Sequence, residues 1–265
     1  MIIVPVIPPV AFNIFGFEVR WYALAYVAGF VLGLWIMKRL SRNFPLFKPS
    51  EAKKAWDDLL TACIIGVILG GRLGYVLFYN LPYYIQNPLE IFAIWNGGMA
   101  FHGGLLGLLA AVFLFANKRK ISGWRILDMM TVMAPIGLFL GRIANFINME
   151  AMGRVTEQPW GVVFAGMPDQ APRHASPLYE AGLEGIVLFV IMLLLWSKTK
   201  LKEHAGASAA IFAILYAVFR IFAEQFREPD AQVGFLTSWG LTMGMLLSVG
   251  MLIAGGIVLY RAFKK

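Results

Sequence analysis

The stretch Leu178–Lys202, LYEAGLEGIVLFVIMLLLWSKTKLK, decides the fold. Up to Trp196 its only charges are Glu180 and Glu184, both near the start, and the apolar run behind them stops at Lys198, Lys200 and Lys202. A helix rising 1.5 Å per residue crosses the hydrocarbon layer of a bilayer in about 20 residues, so this is a transmembrane span ending in lysines. Working outward, apolar stretches bounded by polar or Pro/Gly clusters predict helices near 19–37, 59–79, 98–116, 126–147, 206–227 and 239–260. Together with 178–196 these make seven. The expected fold is all-α: a polytopic integral membrane protein with a single transmembrane domain over 1–265.

Composition agrees. Of 265 residues 59% are hydrophobic and 14% charged, about half the charged share of an ordinary soluble domain, which excludes a disordered chain and a soluble enzyme. The opening MIIVPVIPPV is apolar but carries three prolines and no basic start, so it is expected as an interfacial segment rather than a helix or a signal peptide. The single cysteine, Cys63, lies in an apolar run and can form no disulfide within the chain. His102, His174 and His204 are far apart and show no metal-ligand spacing, so neither a metal nor another cofactor is expected.

The net charge of +8 follows a membrane plan rather than one solvated basic face, so no nucleic-acid partner is expected. Sixteen of the 23 Lys and Arg fall after the first, third, fifth and seventh spans: Lys38 to Lys54, Lys118 to Arg125, Lys198 to Lys202, and Arg261 to Lys265. Positive residues mark cytoplasmic loops, which puts the N-terminus outside, the C-terminus in the cytoplasm and the segment 142–177 on the extracytoplasmic side. All eleven lysines lie on the cytoplasmic side. The other positive residues, Arg20, Arg72, Arg142, Arg154, Arg173, Arg220 and Arg227, are all arginine, the side chain suited to phosphate or carboxylate.

Glycines four apart, Gly29/Gly33, Gly66/Gly70/Gly74, Gly103/Gly107, Gly137/Gly141 and Gly240/Gly244, read as helix-packing positions. Ionisable residues near the outer span ends are costly in hydrocarbon and face a partner or a wet cavity. They gather in three places. Tyr216, Arg220, Glu224 and Arg227 line one helix face, read either as a structural Arg220–Glu224 pair with Arg227 at the headgroups or as a functional site. Arg142, Asn145, Asn148 and Glu150 crowd into nine residues after Pro135. His102 stands among Gly97, Gly98, Gly103 and Gly104, where it is a structural residue or an approachable general base. Arg72 needs a carboxylate, and Glu180 or Glu184 is its expected partner. Trp21, Tyr22 and Tyr26 read as an aromatic belt.

GRIANFINMEAMGRVTEQPWG, from Gly141 to Gly161, resembles the signature of the bacterial prolipoprotein diacylglyceryl transferases, with Gly141, Arg142, Asn145, Phe146, Asn148, Glu150 and Gly153 at matching positions. WYALAYVAGF, GGRLGYVLFYN, GGMAFHGGLLG, HASPLYEAGLEG, FRIFAEQFREPD and LTMGMLLS agree with the family in order and spacing, so the resemblance covers nearly the whole chain. One departure is Met245, which stands where the family usually has Gln.

The resemblance implies a reaction in the bacterial cytoplasmic (inner) membrane with its active site on the extracytoplasmic side. The diacylglyceryl group of phosphatidylglycerol passes to the thiol of the lipobox cysteine in a preprolipoprotein signal peptide, and glycerol phosphate leaves. Arg142 and Arg220 are the expected headgroup-binding and leaving-group-stabilising residues. His102 is the first candidate to take the thiol proton, with Glu150 and Glu224 next. Tyr26, Asn145 and Gly153 match family positions near the lipid headgroup. The other functional class consistent with the composition is a seven-helix anion or lipid carrier without chemistry, which should show polar residues through the midplane rather than on one leaflet side. A structural scaffold would leave Arg72, Arg142 and Arg220 without purpose.

Overall fold

The computed structural model describes residues 2–166, 169–229, 234–238 and 240–264, with the Asn43 side chain left aside; Trp239 of the expected seventh span, Pro168 of the outer segment and Lys265 of the basic tail lie outside them. The chain is mainly helical and forms two compact units, Lys38–Leu127 and Met1–Met37 with Asp128–Lys265. Six helices are long and apolar enough to cross a membrane: α1 (Trp21–Asn43), α2 (Pro49–Phe78), α4 (Phe101–Lys118), α5 (Gly123–Ile147), the continuous run Ser176–Lys198, and α9 (Met243–Lys264). The expected helix over 206–227 is the shorter apolar α8 (Ala207–Ala223), because Glu224 to Phe226 leave the helix in tight turns. A short α3 (Leu81–Gln86) follows α2.

In the unit Lys38–Leu127, α2 begins well before its apolar stretch. Pro49 opens it, where the missing N–H costs nothing, and its polar first turns pair with neighbours: Asp57 with Lys38 at 3.0 Å and Asp58 with Arg119 at 2.6 Å. Deeper in, Gly66, Gly70 and Gly74 meet Gly103 and Gly107 of α4 backbone to backbone; a Cβ on Gly74 would lie 2.8 Å from the Gly103 Cα. Contact this close gives dispersion between helices that lipid cannot displace.

In the other unit, Gly29 of α1 meets Gly137 of α5, and Gly33 seats the Met133 sulfur. Gly141 faces open space and Gly240 lies in a turn at φ +92°, so neither is a packing position. The run Ser176–Lys198 comprises α6 (Ser176–Glu180), a wide π turn over Ala181–Val187 and α7 (Leu188–Lys198). Its buried positions Glu180, Glu184, Leu188, Met192 and Trp196 recur every four residues, a period longer than that of an α-helix, and the wide turn keeps them on one stripe. The N-terminus of α8 has no side-chain cap of its own. Gly206 precedes it in the left-handed conformation, and buried Asp128 of α5 accepts the Gly206 N–H at 2.6 Å and the Ala209 N–H at 2.9 Å. A carboxylate there meets both the orphan donors and the positive end of the helix dipole.

The N-terminal segment is not irregular. β1 (Ile2–Val4) pairs in parallel with β4 (Val162–Phe164), and β2 (Val10–Ile14) forms an antiparallel hairpin with β3 (Phe17–Arg20). The prolines that bar a helix, Pro5, Pro8 and Pro9, fall between the strands, where no ladder donor is needed.

Candidate active site

Arg142 near the end of α5, Arg220 near the end of α8, and the α6–π junction converge within one unit. Glu180 Oε2 lies 2.8 Å from Arg142 Nη2 and 2.9 Å from Arg220 Nη1. Glu184 Oε2 lies 3.1 Å from Arg142 Nη2, and Glu224 Oε2 lies 2.7 Å from Arg220 Nη2. Arg227 Nη1 stands 3.6 Å from Glu180 Oε1, which also accepts the Ser176 hydroxyl at 3.0 Å, and Thr242 donates to Glu224 Oε1 at 2.8 Å. Three buried carboxylates and three mostly covered guanidinium groups lie together, so the cluster is formally neutral. A charge at this depth without its counter-charge would be strongly destabilising. Tyr216, one turn before Arg220, shares the electrostatic environment of Glu184 and Arg142. The small Gly244 makes room for Glu224, since a Cβ there would sit 2.8 Å from Glu224 Oε1.

The carboxylates occupy these guanidinium groups incompletely. Arg142 is held through Nη2 alone, and its Nε and Nη1 have no polar partner among the described residues. Donors held in place by buried acceptors on one side and unused on the other can receive an anion without reorganising.

The other expected residues of this unit form an adjoining chain of hydrogen bonds. Asn145 Nδ2 donates to the Tyr22 hydroxyl at 2.6 Å and to Glu150 Oε2 at 3.1 Å, while Asn148 Nδ2 donates to Glu150 Oε1 at 3.4 Å. Tyr22 is therefore more than an aromatic-belt residue. Tyr26 stacks on it at 5.8 Å with its own ring exposed. Met149 and Ala151, on either side of Glu150, both have φ +56°, which costs a side-chain-bearing residue on the order of 1–2 kcal/mol and fixes the turn that presents the carboxylate. Gly153 is enclosed by the backbone of His174 and Phe226, and its own N–H and C=O are used by His174 and Arg173. Only glycine fits there.

Three expectations need correction. Arg72, in the other unit, has no carboxylate partner among the described residues: Nε donates to Ile91 O at 2.8 Å, Nη1 to Gly97 O at 2.5 Å and Gly98 O at 3.2 Å, and Nη2 to Glu90 O at 2.6 Å and Ala93 O at 3.2 Å. The chain folds back in two 3₁₀ turns, Pro88–Phe92 and Ile94–Asn96, whose unused carbonyls ring the guanidinium. Glu180 and Glu184 serve Arg142 and Arg220 instead, and the spacing that flagged them could not say which arginine they meet. Arg227 does not continue the helix face of Arg220: its backbone pairs with Gly153 beyond the end of α8, and its side chain turns toward Glu180.

His102 lies at the start of α4, exposed, with an edge-on ring contact to Phe101. In the loop between α5 and α6, Arg173 donates to Asp169 at 2.6 Å and holds that carboxyl below the usual carboxylate range. His174 packs its ring on Phe226 and Tyr179, and desolvation there lowers its proton affinity. Residues 216–227 and 142–150 were legible from the sequence as polar clusters. Ser176, Tyr22 and Thr242 were not, since a lone hydroxyl near a span end has no distinguishing pattern.

Six helices long and apolar enough to cross a bilayer, with an arginine–carboxylate cluster where α5, α8 and the run Ser176–Lys198 meet, define an integral membrane protein. Over residues 9–261 the sequence matches the family described as prolipoprotein diacylglyceryl transferase. It is 54% identical over 262 residues to the phosphatidylglycerol–prolipoprotein diacylglyceryl transferase of Azospirillum brasilense, with 98% of this chain and 96% of that protein covered. It is 49% identical to the proteins of that name from Rhodospirillum centenum, covering 97% of this chain and 92% of the relative, and from Brucella canis, with the same coverage. The chain belongs to the prolipoprotein diacylglyceryl transferase family.

Proposed function

We propose that the protein transfers the diacylglyceryl group of phosphatidylglycerol to the lipobox cysteine thiol of preprolipoproteins, the first step of bacterial lipoprotein maturation. The observation that carries this reading is the pair Arg142 and Arg220, fixed by Glu180, Glu184 and Glu224, with Arg142 Nε and Nη1 unused. The thiolate attacks the glycerol carbon that bears the phosphate ester. A C–S bond forms, the C–O bond breaks, and the electron pair leaves on the phosphate oxygen of glycerol phosphate. The two arginines bind the phosphate in the ground state and stabilise the added charge as the bond breaks.

His102, exposed and without a polar contact among the described residues, takes the thiol proton. Glu224 is the weaker candidate because Arg220 and Thr242 already hold it. Glu150 supports Asn145 and Asn148. Asn145, with Tyr22 and Tyr26 behind it, lies beside the headgroup, and Gly153 keeps the 142–177 segment closed against the end of α8. The whole chain acts as one transmembrane domain of seven spans in the bacterial inner membrane, N-terminus outside and C-terminus inside. Reporter fusions at Lys200 and Asp169 should read as cytoplasmic and external respectively.

The direct test is incubation of the purified protein with labelled phosphatidylglycerol and a lipobox peptide. Label should move to the peptide and glycerol phosphate should appear; tight lipid binding without product would favour a carrier. His102→Gln should lose the acidic limb of the pH–rate profile and recover partly in alkaline medium, where solution supplies thiolate. An unchanged profile at normal specific activity would remove His102 from this role.

A further inference from the structure

We infer that Glu180 is a positioning residue for the transfer reaction proposed above, setting the spacing of the two phosphate-facing arginines. It is the one carboxylate in the cluster that touches both: Glu184 reaches Arg142 and Glu224 reaches Arg220, whereas Glu180 Oε2 lies 2.8 Å from the first arginine and 2.9 Å from the second. The two Nη atoms that share this oxygen are therefore no more than about 6 Å apart, a separation at which two cations in a low-dielectric site repel strongly unless an anion stands between them.

Glu180 is itself fixed. Its second oxygen accepts from Ser176 and lies near Arg227, it is fully buried, and it ends α6 where the π turn begins. That turn is locked onto α5, which carries Arg142, by Gly185, where a Cβ would meet the Phe139 Cβ at 2.7 Å and its Cα at 3.0 Å. A carboxylate with no exposed surface and both arginines in contact with it acts through those arginines and does not take the thiol proton.

The test compares wild type with Glu180→Gln as full-length proteins in mixed micelles of phosphatidylglycerol. Initial rates with a lipobox peptide are measured alongside the affinity for sn-glycerol 1-phosphate by titration calorimetry. The Gln side chain keeps the shape and removes one negative charge. The expected result is a kcat lowered about a hundredfold together with a severalfold gain in glycerol phosphate affinity, because the arginines lose their spacing while the cluster becomes net positive.

A merely structural residue would lower both in step with the folded fraction, and that outcome, or a kcat within twofold of wild type, would overturn the inference. If Glu180→Gln does not fold, Ser176→Ala decides: loosening the carboxylate should lower kcat a fewfold without weakening anion binding, and unchanged kinetics would refute the role. If wild type itself transfers no lipid, the proposed reaction fails. The anion arm then decides alone, with tighter binding by Glu180→Gln supporting the assignment and unchanged or weaker binding refuting it.

Discussion

Arg72 and the pair Arg142 and Arg220 show two opposite ways of burying an arginine. Around Arg72 the donors are saturated by five main-chain carbonyls and the charge faces dipoles and the Tyr84 ring, with no carboxylate in contact among the described residues. Around Arg142 and Arg220 the charge is matched by carboxylates, but donors are left over. A guanidinium whose every N–H is used fastens a loop. One that is neutralised but not saturated is ready for an anion. On the proposed assignment, open donors rather than burial or charge distinguish Arg142 from Arg72.

The comparison breaks first, and most visibly, at the open pair. Arg142→Lys and Arg220→Lys keep the charge and lose the planar array of donors, so initial rates of peptide lipidation should fall about a hundredfold, close to 2.7 kcal/mol of transition-state stabilisation, with melting temperature nearly unchanged. Arg261→Lys, on the exposed last turn of α9, is the silent control. Equal rates in all three variants would end the headgroup assignment.

Arg72→Lys should do the reverse. Three donors cannot serve five carbonyls, and the loss should appear in thermal unfolding as about 2 kcal/mol, with specific activity per folded molecule largely kept. A variant that melts normally but turns over slowly would move Arg72 into the functional class. A smaller loss, about 1 kcal/mol, is expected for Asp128→Asn, which keeps an acceptor for the α8 N-terminus but removes the charge that meets the dipole. Because Asp128 is far along α5 from Arg142, its effect should be on unfolding only.

The smallest effect is a pH dependence in the loop between α5 and α6. Burial depresses the proton affinity of His174 in the folded state, so the unfolded chain binds a proton more readily. Its contribution is complete above the ordinary histidine range and declines as the pH falls through it. His174→Gln should therefore flatten the acid side of the melting-temperature profile slightly, and an unaltered slope would assign that acid sensitivity elsewhere.

Much of this was legible without coordinates. Length and polarity of each apolar run specify a membrane helix, since hydrocarbon thickness and backbone hydrogen bonding leave little choice, and glycines four apart marked the packing positions on α2 and α4, though not that they meet each other. The 142–150 cluster and the face through Tyr216 and Arg220 were also readable, because polar residues in lipid are too costly to be accidental. Partner choice was not readable. Glu180 and Glu184 appeared as two carboxylates four apart, and sequence alone matched them to the wrong arginine.

The short strands of the N-terminus were hidden because a parallel pair joins Ile2 to Val162 across the chain, and no local pattern encodes such a distant match. The π turn was hidden as well, since it shifts the phase of a helix whose composition is ordinary. Sequence by itself determined which residues cannot face lipid. Only the tertiary structure decided what each faces instead, because an ion pair is a matter of ångströms between side chains on different helices, and spacing along one helix carries no record of the other.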